Sequence, residues 1–170
     1  MKTIHLLRHA KSSWADPDLA DRDRPLALRG RKAVRAMAAH FGGREVLPDL
    51  VLCSPARRTR ETLDGISESL GGAWVEIDEG LYGADARGIL HRIQRLPPTS
   101  DSVLIIGHNP ALEEVAELLL APGGHDASLD RMQEKYPTGA LATFVAPGAW
   151  REVGEGTCVL RSFIRPRDLE

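Results

Sequence analysis

Cysteine is scarce in this chain: Cys53 and Cys158 are the only two in 170 residues, each inside a short apolar run. That excludes a disulfide scaffold and predicts two buried free thiols suited to a reducing compartment. Long hydrophobic runs are missing too. No stretch approaches the ~20 apolar residues that span a bilayer. The N-terminal run ending at Leu7 is too short for a signal peptide before charges resume. The expectation is a cytoplasmic protein with no membrane partner. Nor is there an excess of one charge. Lys and Arg number 22 against 24 Asp and Glu, a formal net charge of -2, which gives no general attraction to nucleic acid or anionic lipid. An anion must therefore be bound by a local basic cluster. Internal repeats and low-complexity tracts are absent. What remains is ordinary globular composition, 42% hydrophobic and 27% charged, of a length that predicts one domain over residues 1–170.

Short β-branched apolar runs alternate with segments of helical period. Strands are expected at Thr3–Leu7, Leu50–Cys53, Trp74–Ile77, Val103–Ile106, Ala140–Val145 and Cys158–Ile164. Helices are expected at Arg29–Phe41 and from Ser54-Pro55, read as N-cap and first helical residue, to Gly71-Gly72. Two more are expected over Asp85–Arg95 and from Asn109-Pro110 to Pro122. This alternation predicts an α/β fold, a three-layer α/β/α sandwich around a mainly parallel, mixed sheet of about six strands. The last two strands are too close for a helical crossover and should pair antiparallel. Ala15–Arg24 is charged and patternless, a long loop of the kind that carries function.

Open α/β sheets bind ligands beyond the carboxyl ends of their strands. The first strand ends in Arg8-His9. The second ends in Ser54-Pro55 and runs into Arg57, Arg58 and Arg60, and the fourth ends in Gly107-His108-Asn109. Two histidines, several arginines and two helix N-termini thus converge on one sheet edge, where they favour an anion. The arginine fork matches two phosphate oxygens, so Arg8 and Arg58 suit a phosphoryl group. One imidazole can attack phosphorus while the other holds an oxygen or moves a proton. No Gly-rich run precedes Lys-Ser or Lys-Thr, which excludes a P-loop. No His-x-x-x-His or carboxylate cluster sits at these ends, so no metal and no cofactor is expected.

The segment Leu6-Leu7-Arg8-His9-Ala10 resembles the Arg-His-Gly signature of the histidine phosphatase superfamily, with alanine in place of glycine. Ser54-Pro55-Ala56-Arg57-Arg58-Thr59-Arg60-Glu61-Thr62 is similar to the second-strand motif, whose arginine falls at Arg58. Ile106-Gly107-His108-Asn109-Pro110 resembles the motif of the second histidine. The Arg-His-Ala-Lys-Ser start and Arg24-Pro25-Leu26 followed by Gly30 most resemble the SixA-type phosphohistidine phosphatases. The resemblance covers Lys2 to about Ile164. It implies a phosphoglycerate mutase-like fold, His9 as a transiently phosphorylated nucleophile, and Arg8, Arg58 and His108 on the phosphoryl oxygens. It also implies Arg24 as a substrate-binding residue from the long loop.

Larger members supply a glutamate general acid after the third strand. Here Asp78 and Glu79 lie nearby, but Ile77-Asp78-Glu79-Gly80-Leu81-Tyr82 does not align with that motif. An imidazole can leave phosphohistidine already protonated, whereas an alkoxide needs a placed donor. The expected activity is therefore metal-independent hydrolysis of phosphohistidine on a protein, such as a phosphohistidine-carrying signalling domain. The alternative is an ester phosphatase acting on phosphoserine, phosphothreonine or a small phosphorylated molecule. A mutase would need longer inserts, and a phosphopeptide-binding module would not need the nucleophile. His5, His40, His91 and His125 read as structural or exposed, Arg57 and Arg60 as a solvated helix face. Trp14 reads as lining the pocket mouth or packing, and Trp74 and Trp150 as core or strand edge.

Overall fold

A computed structural model describes residues 1–43, 47–124 and 126–170. Six strands form one sheet in the order β3-β2-β4-β1-β5-β6. They are β1 (Lys2–Arg8), β2 (Leu50–Cys53), β3 (Trp74–Ile77), β4 (Ser102–Gly107), β5 (Leu141–Ala146) and β6 (Val159–Ile164). The β1, β2, β3 and β4 strands pair in parallel, and β5 is antiparallel to both β1 and β6. The mixed sheet and the antiparallel closing pair are those expected from sequence.

Side-chain alternation explains the layers. In β4, Val103 and Ile105 join Ile4, Leu6 and Leu52 on one face, while Leu104 and Ile106 join Leu7, Val51 and Cys53 on the other. Both faces must then be covered, which is why β4 is apolar throughout. The first face is covered by α3 (Ala86–Gln94), α4 (Ala111–Leu119) and α5 (Ala127–Glu134). The second is covered by α1 (Leu28–Gly42) and α2 (Arg57–Ile66). Edge strand β3 is exposed along its length, Trp74 included. Trp150 is buried in the core. Cys53 and Cys158 are free and buried, and no described helix is long and apolar enough to cross a membrane.

Two local readings change. The α2 helix begins at Arg57 with Ala56 as N-cap, not at Ser54-Pro55. Ser54 instead turns its hydroxyl to His108. The α5 helix was not expected: its eight residues bury only Leu129 and Met132, too few apolar positions to stand out as a periodic stripe. Its start is fixed by Asp126, whose Oδ1 accepts from Leu129 N at 2.9 Å. His125 lies outside the described residues.

Gly30 and Gly65 hold the α1 side together. A Cβ on Gly30 would stand 2.2 Å from the Lys11 carbonyl oxygen, and one on Gly65 would stand 2.0 Å from a Val34 methyl. The chain just beyond His9 is thereby pressed against the start of α1.

Candidate active site

Strand β1 ends at Arg8, and His9 follows at the carboxyl edge, 7% exposed. Its Nδ1 lies 2.7 Å from the Ala10 carbonyl oxygen. A carbonyl only accepts, so Nδ1 carries the proton and Nε2 keeps its lone pair. Burial, opposed by that backbone bond and reinforced by His108, Arg58 and Arg8, pushes the His9 imidazole down to about 3. The ring is neutral at physiological pH, with its free nitrogen fixed by the fold.

His108 follows β4, its ring 5.4 Å from that of His9 and tilted by 55°. Its Nε2 is 2.7 Å from Ser54 Oγ, and Tyr82 packs edge-on against the ring at 5.7 Å. Burial first, then Arg58 and Arg8, push His108 down to about 4, with Asp21 opposing. His108 Nδ1 and Arg8 Nε are buried and make no hydrogen bond among the described residues.

Arg8 donates from Nη1 to the Tyr136 carbonyl at 2.9 Å, and Asn109 Nδ2 donates to the same oxygen at 3.1 Å. Tyr136 is itself buried, its hydroxyl donating to Leu6 O at 2.5 Å. Arg58 turns inward from the first turn of α2. It donates to the Asp21 backbone carbonyl at 2.7 Å and to Asp21 Oδ2 at 3.0 Å. Arg24 donates to Asp21 Oδ1 at 3.0 Å, and its remaining arms reach Ser12 Oγ and Ser13 O. Its guanidinium lies 3.3 Å from the ring centroid of exposed Trp14, a cation–π contact. Trp14 thus lines the loop by covering Arg24.

Asp21 is the hub of this wall. Tyr82 donates its hydroxyl to Oδ2 at 2.6 Å. That bond first, then Arg58 and Arg24, pulls the carboxyl down to about 2. Asp21 is ionised and occupies donors of both Arg58 and Arg24. Sequence reasoning missed Asp21, Tyr82, Tyr136 and Ser54 as site residues. For Asp21 the available signal was the length of the Ala15–Arg24 loop, and for Ser54 its place at the end of a strand on the converging edge.

The five candidates, Arg8, His9, Arg24, Arg58 and His108, come together. The two imidazoles pack against each other, the charges of Arg8 and Arg58 act on both rings, and Arg24 joins Arg58 through Asp21. Asp78 and Glu79 are held by other arginines. Asp78 accepts from Arg92 Nε at 2.6 Å and from Gly80 N at 2.9 Å. Glu79 is held by Arg22 Nη2 at 3.0 and 2.9 Å and is largely exposed. Arg57 and Arg60 are exposed, Arg57 pairing with Glu61. His91 is exposed, His40 half-buried, and His5 sits 2.9 Å from Thr143 Oγ1. No three His, Cys, Asp or Glu among the described residues are grouped to hold a metal ion.

Comparison with known proteins gives the family. The model of the histidine phosphatase superfamily (branch 1) matches residues 4–86, the span that carries Arg8, His9, Arg24 and Arg58. An uncharacterized protein of Mycobacterium tuberculosis is 35% identical over 164 residues, covering 95% of this chain and 100% of that one. A structure assigned as the phosphohistidine phosphatase SixA of Nakamurella multipartitia superposes with a TM-score of 0.85 at 27% identity, covering 97% of this chain and 96% of that one. One assigned likewise from Agrobacterium tumefaciens gives 0.81 at 28% identity, with 97% and 98% covered. The chain belongs to the histidine phosphatase superfamily. Within it the fold is phosphoglycerate mutase-like and SixA-like, and the protein is a phosphatase.

Proposed function

We propose that the protein hydrolyses phosphohistidine on another protein through a phosphorylated His9, without metal or cofactor. The observation that supports this reading best is the state of His9: buried, neutral, with Nδ1 tied to Ala10 O and Nε2 left to attack. In the first step the Nε2 lone pair forms a bond to phosphorus and the bond to the substrate nitrogen breaks. The leaving ring, protonated on its other nitrogen, takes the bonding pair and departs as neutral imidazole. In the second step water attacks phosphorus, the bonding pair returns to Nε2, and phosphate and one proton are released. Because Ala10 O keeps the proton on Nδ1, His9 also departs neutral. Arg8, Arg58 and His108 hold the three spreading oxygens, with Arg24 behind Arg58 through their shared Asp21.

The substrate reading draws on the carboxylates near the third strand. Asp78 is paired with Arg92 and Glu79 with Arg22, and neither makes a hydrogen bond to either imidazole. An alkoxide would need a placed acid, and an imidazole would not. The proposed setting is the cytoplasm, in keeping with two buried thiols, and the proposed unit is a single domain over residues 1–170. Acid-labile label from ³²P-phosphohistidine peptide should be trapped on wild-type enzyme and map to His9. Label on another residue, or turnover by a folded His9→Ala variant, would overturn the assignment. The ratio of kcat/KM on phosphohistidine and alkyl phosphate decides the substrate, and preference for the alkyl ester would make the protein an ester phosphatase.

A further inference from the structure

Arginines of the pocket are held by acidic or carbonyl partners, but next to the pocket lies a group of cations most of which are not. Lys11, Arg29, Lys32, Arg165 and Arg167 line one open groove of about 280 Å³. Arg165 is forked onto Asp168 at 2.8 and 3.0 Å, and Glu170 is the one acidic side chain in the lining. The side chains of Lys11, Arg29, Lys32 and Arg167 make no ion pair or hydrogen bond among the described residues, and all four are exposed. In a chain of net charge -2 this concentration is local.

Its position is set by the same sheet edge as the histidines. Lys11 is two residues past His9, so their Cα atoms lie within about 7 Å. Arg29 and Lys32 stand on the first turns of α1, which is pressed against Lys11 through Gly30. Arg165 follows β6, whose Ile164 pairs with Leu141 at the start of β5. Pro137 and Thr138, also in the lining, precede Gly139, whose N–H donates to the Arg8 and His9 carbonyls at 3.1 and 3.0 Å.

We infer that this groove docks an acidic segment of the phosphorylated protein, flanking the side chain that enters the pocket. The inference rests on the proposed action on a phosphoprotein and names the surface chemistry of that partner. Four unpaired cations spread over three chain segments match several separated carboxylates better than one small anion. The volume is also at or below the low end of sites that enclose a small ligand. No aromatic side chain lines the groove, so it lacks the stacking platform of a single-stranded nucleic acid site.

The test uses two phosphohistidine peptides with one core, flanked by Glu and Asp or by Ser and Gln, with phosphoramidate as the small probe. Wild type should favour the acidic peptide about 10-fold in kcat/KM at low salt, the gap closing at 0.5 M NaCl. Lys32→Glu/Arg167→Glu should abolish or invert the preference and leave phosphoramidate turnover within about twofold, since exposed rim charges act on encounter rather than chemistry. Lys32→Ala/Arg167→Ala should give an intermediate result. Equal kcat/KM on both peptides in wild type, or a preference that survives charge reversal, would overturn the docking surface. A labelled acidic peptide without phosphate, read by anisotropy, separates the two claims. If it binds wild type but not the reversed variant while only ester substrates turn over, the groove stands and the phosphohistidine reading falls. Tighter binding of single-stranded RNA or pyrophosphate than of that peptide would assign the groove to another ligand and overturn the proposal.

Discussion

Arg8 and Arg58 act on the same pair of imidazoles, yet they are anchored by different kinds of partner. Arg8 is tied to the carbonyl of Tyr136, a buried residue whose own hydroxyl is bonded to the β1 backbone. Arg58 is tied to Asp21, whose side chain is 50% exposed on a surface loop. The first wall is anchored in the core through buried Tyr136. The second is closed by a carboxylate on a surface loop, which under the proposed function an incoming phosphoryl group would have to replace or share. One wall therefore sets position, and the other sets exchange.

The histidine between the walls gives the largest expected effect. His9→Ala should lower kcat by about 10⁴-fold or more, as when a nucleophile is removed from a site whose other donors remain. Its denaturation midpoint at pH 7 should stay near that of wild type. Arg8→Ala and Arg58→Ala should each cost about 10²–10³-fold in kcat, the usual loss for one oxyanion donor. The walls should separate in stability. Arg8→Ala also leaves the Tyr136 and Asn109 cluster short of a donor, so it should shift the urea midpoint, while Arg58→Ala should shift it less. Equal midpoint shifts would erase the distinction.

Acid should strain the pocket through both imidazoles. His9 and His108 fall from an ordinary 6.5 to about 3 and about 4 in the folded protein. Below pH 6.5 the unfolded chain binds protons that the folded chain refuses. Their contribution is complete above 6.5 and is lost as pH falls toward 4 and then 3. Two such groups steepen the loss by up to about 100-fold in the folding equilibrium per pH unit. Urea titrations of wild type and of His9→Asn/His108→Asn at pH 7, 5.5 and 4.5 should diverge progressively, the variant being flatter. Parallel curves would mean that these rings titrate normally.

Most of this geometry was legible because strand ends announce themselves. The boundaries of β2 and β3 were expected as found, and Arg8, Arg58 and His108 each follow an apolar run closely enough to be placed at one edge. What was not legible depends on partners remote in sequence. Ser54-Pro55 has the local chemistry of a helix start, but Ser54 is turned to His108, 54 residues away. Tyr136 reaches β1 across 130 residues after a helix too polar to notice. Asp21 lies in a segment without period, and only its arginine partners reveal its role. Gly30 showed itself in a motif, while its reason, the Lys11 carbonyl, is a tertiary contact.

Asp21→Asn tests the exchangeable wall directly. The amide keeps the shape and part of the hydrogen bonding, but removes the charge that competes for Arg58 and Arg24. Inhibition by inorganic phosphate should tighten about 3–10-fold, because one anion no longer faces another at short range. Turnover should fall only several-fold, since the amide oxygen can still accept from Arg58. Weaker phosphate inhibition would show that Asp21 acts purely as an anchor, with no competition, and the two walls would then differ less than their exposure suggests.

The smallest effect is expected at Glu79. Its carboxylate is bound in both oxygens by Arg22, whose guanidinium lies 5.6 Å from the Tyr82 ring centroid at the edge of the exchangeable wall. Its side chain is 70% exposed. Exposed pairs of this kind contribute little, and the Arg22 fork already takes both carboxylate oxygens. Glu79→Gln should therefore change kcat/KM on a phosphohistidine peptide by less than about twofold, since surface changes away from the chemistry are usually small. Measured beside it, an alkyl phosphate gives the discriminating comparison. A loss of roughly 10²–10⁴-fold on the ester alone would identify Glu79 as its proton donor. The Arg22 pair would then have to open during turnover, and the loop wall would supply the acid as well as the exchangeable anion. Arg22→Gln distinguishes these cases, because releasing Glu79 should raise ester hydrolysis only if that carboxylate is the donor.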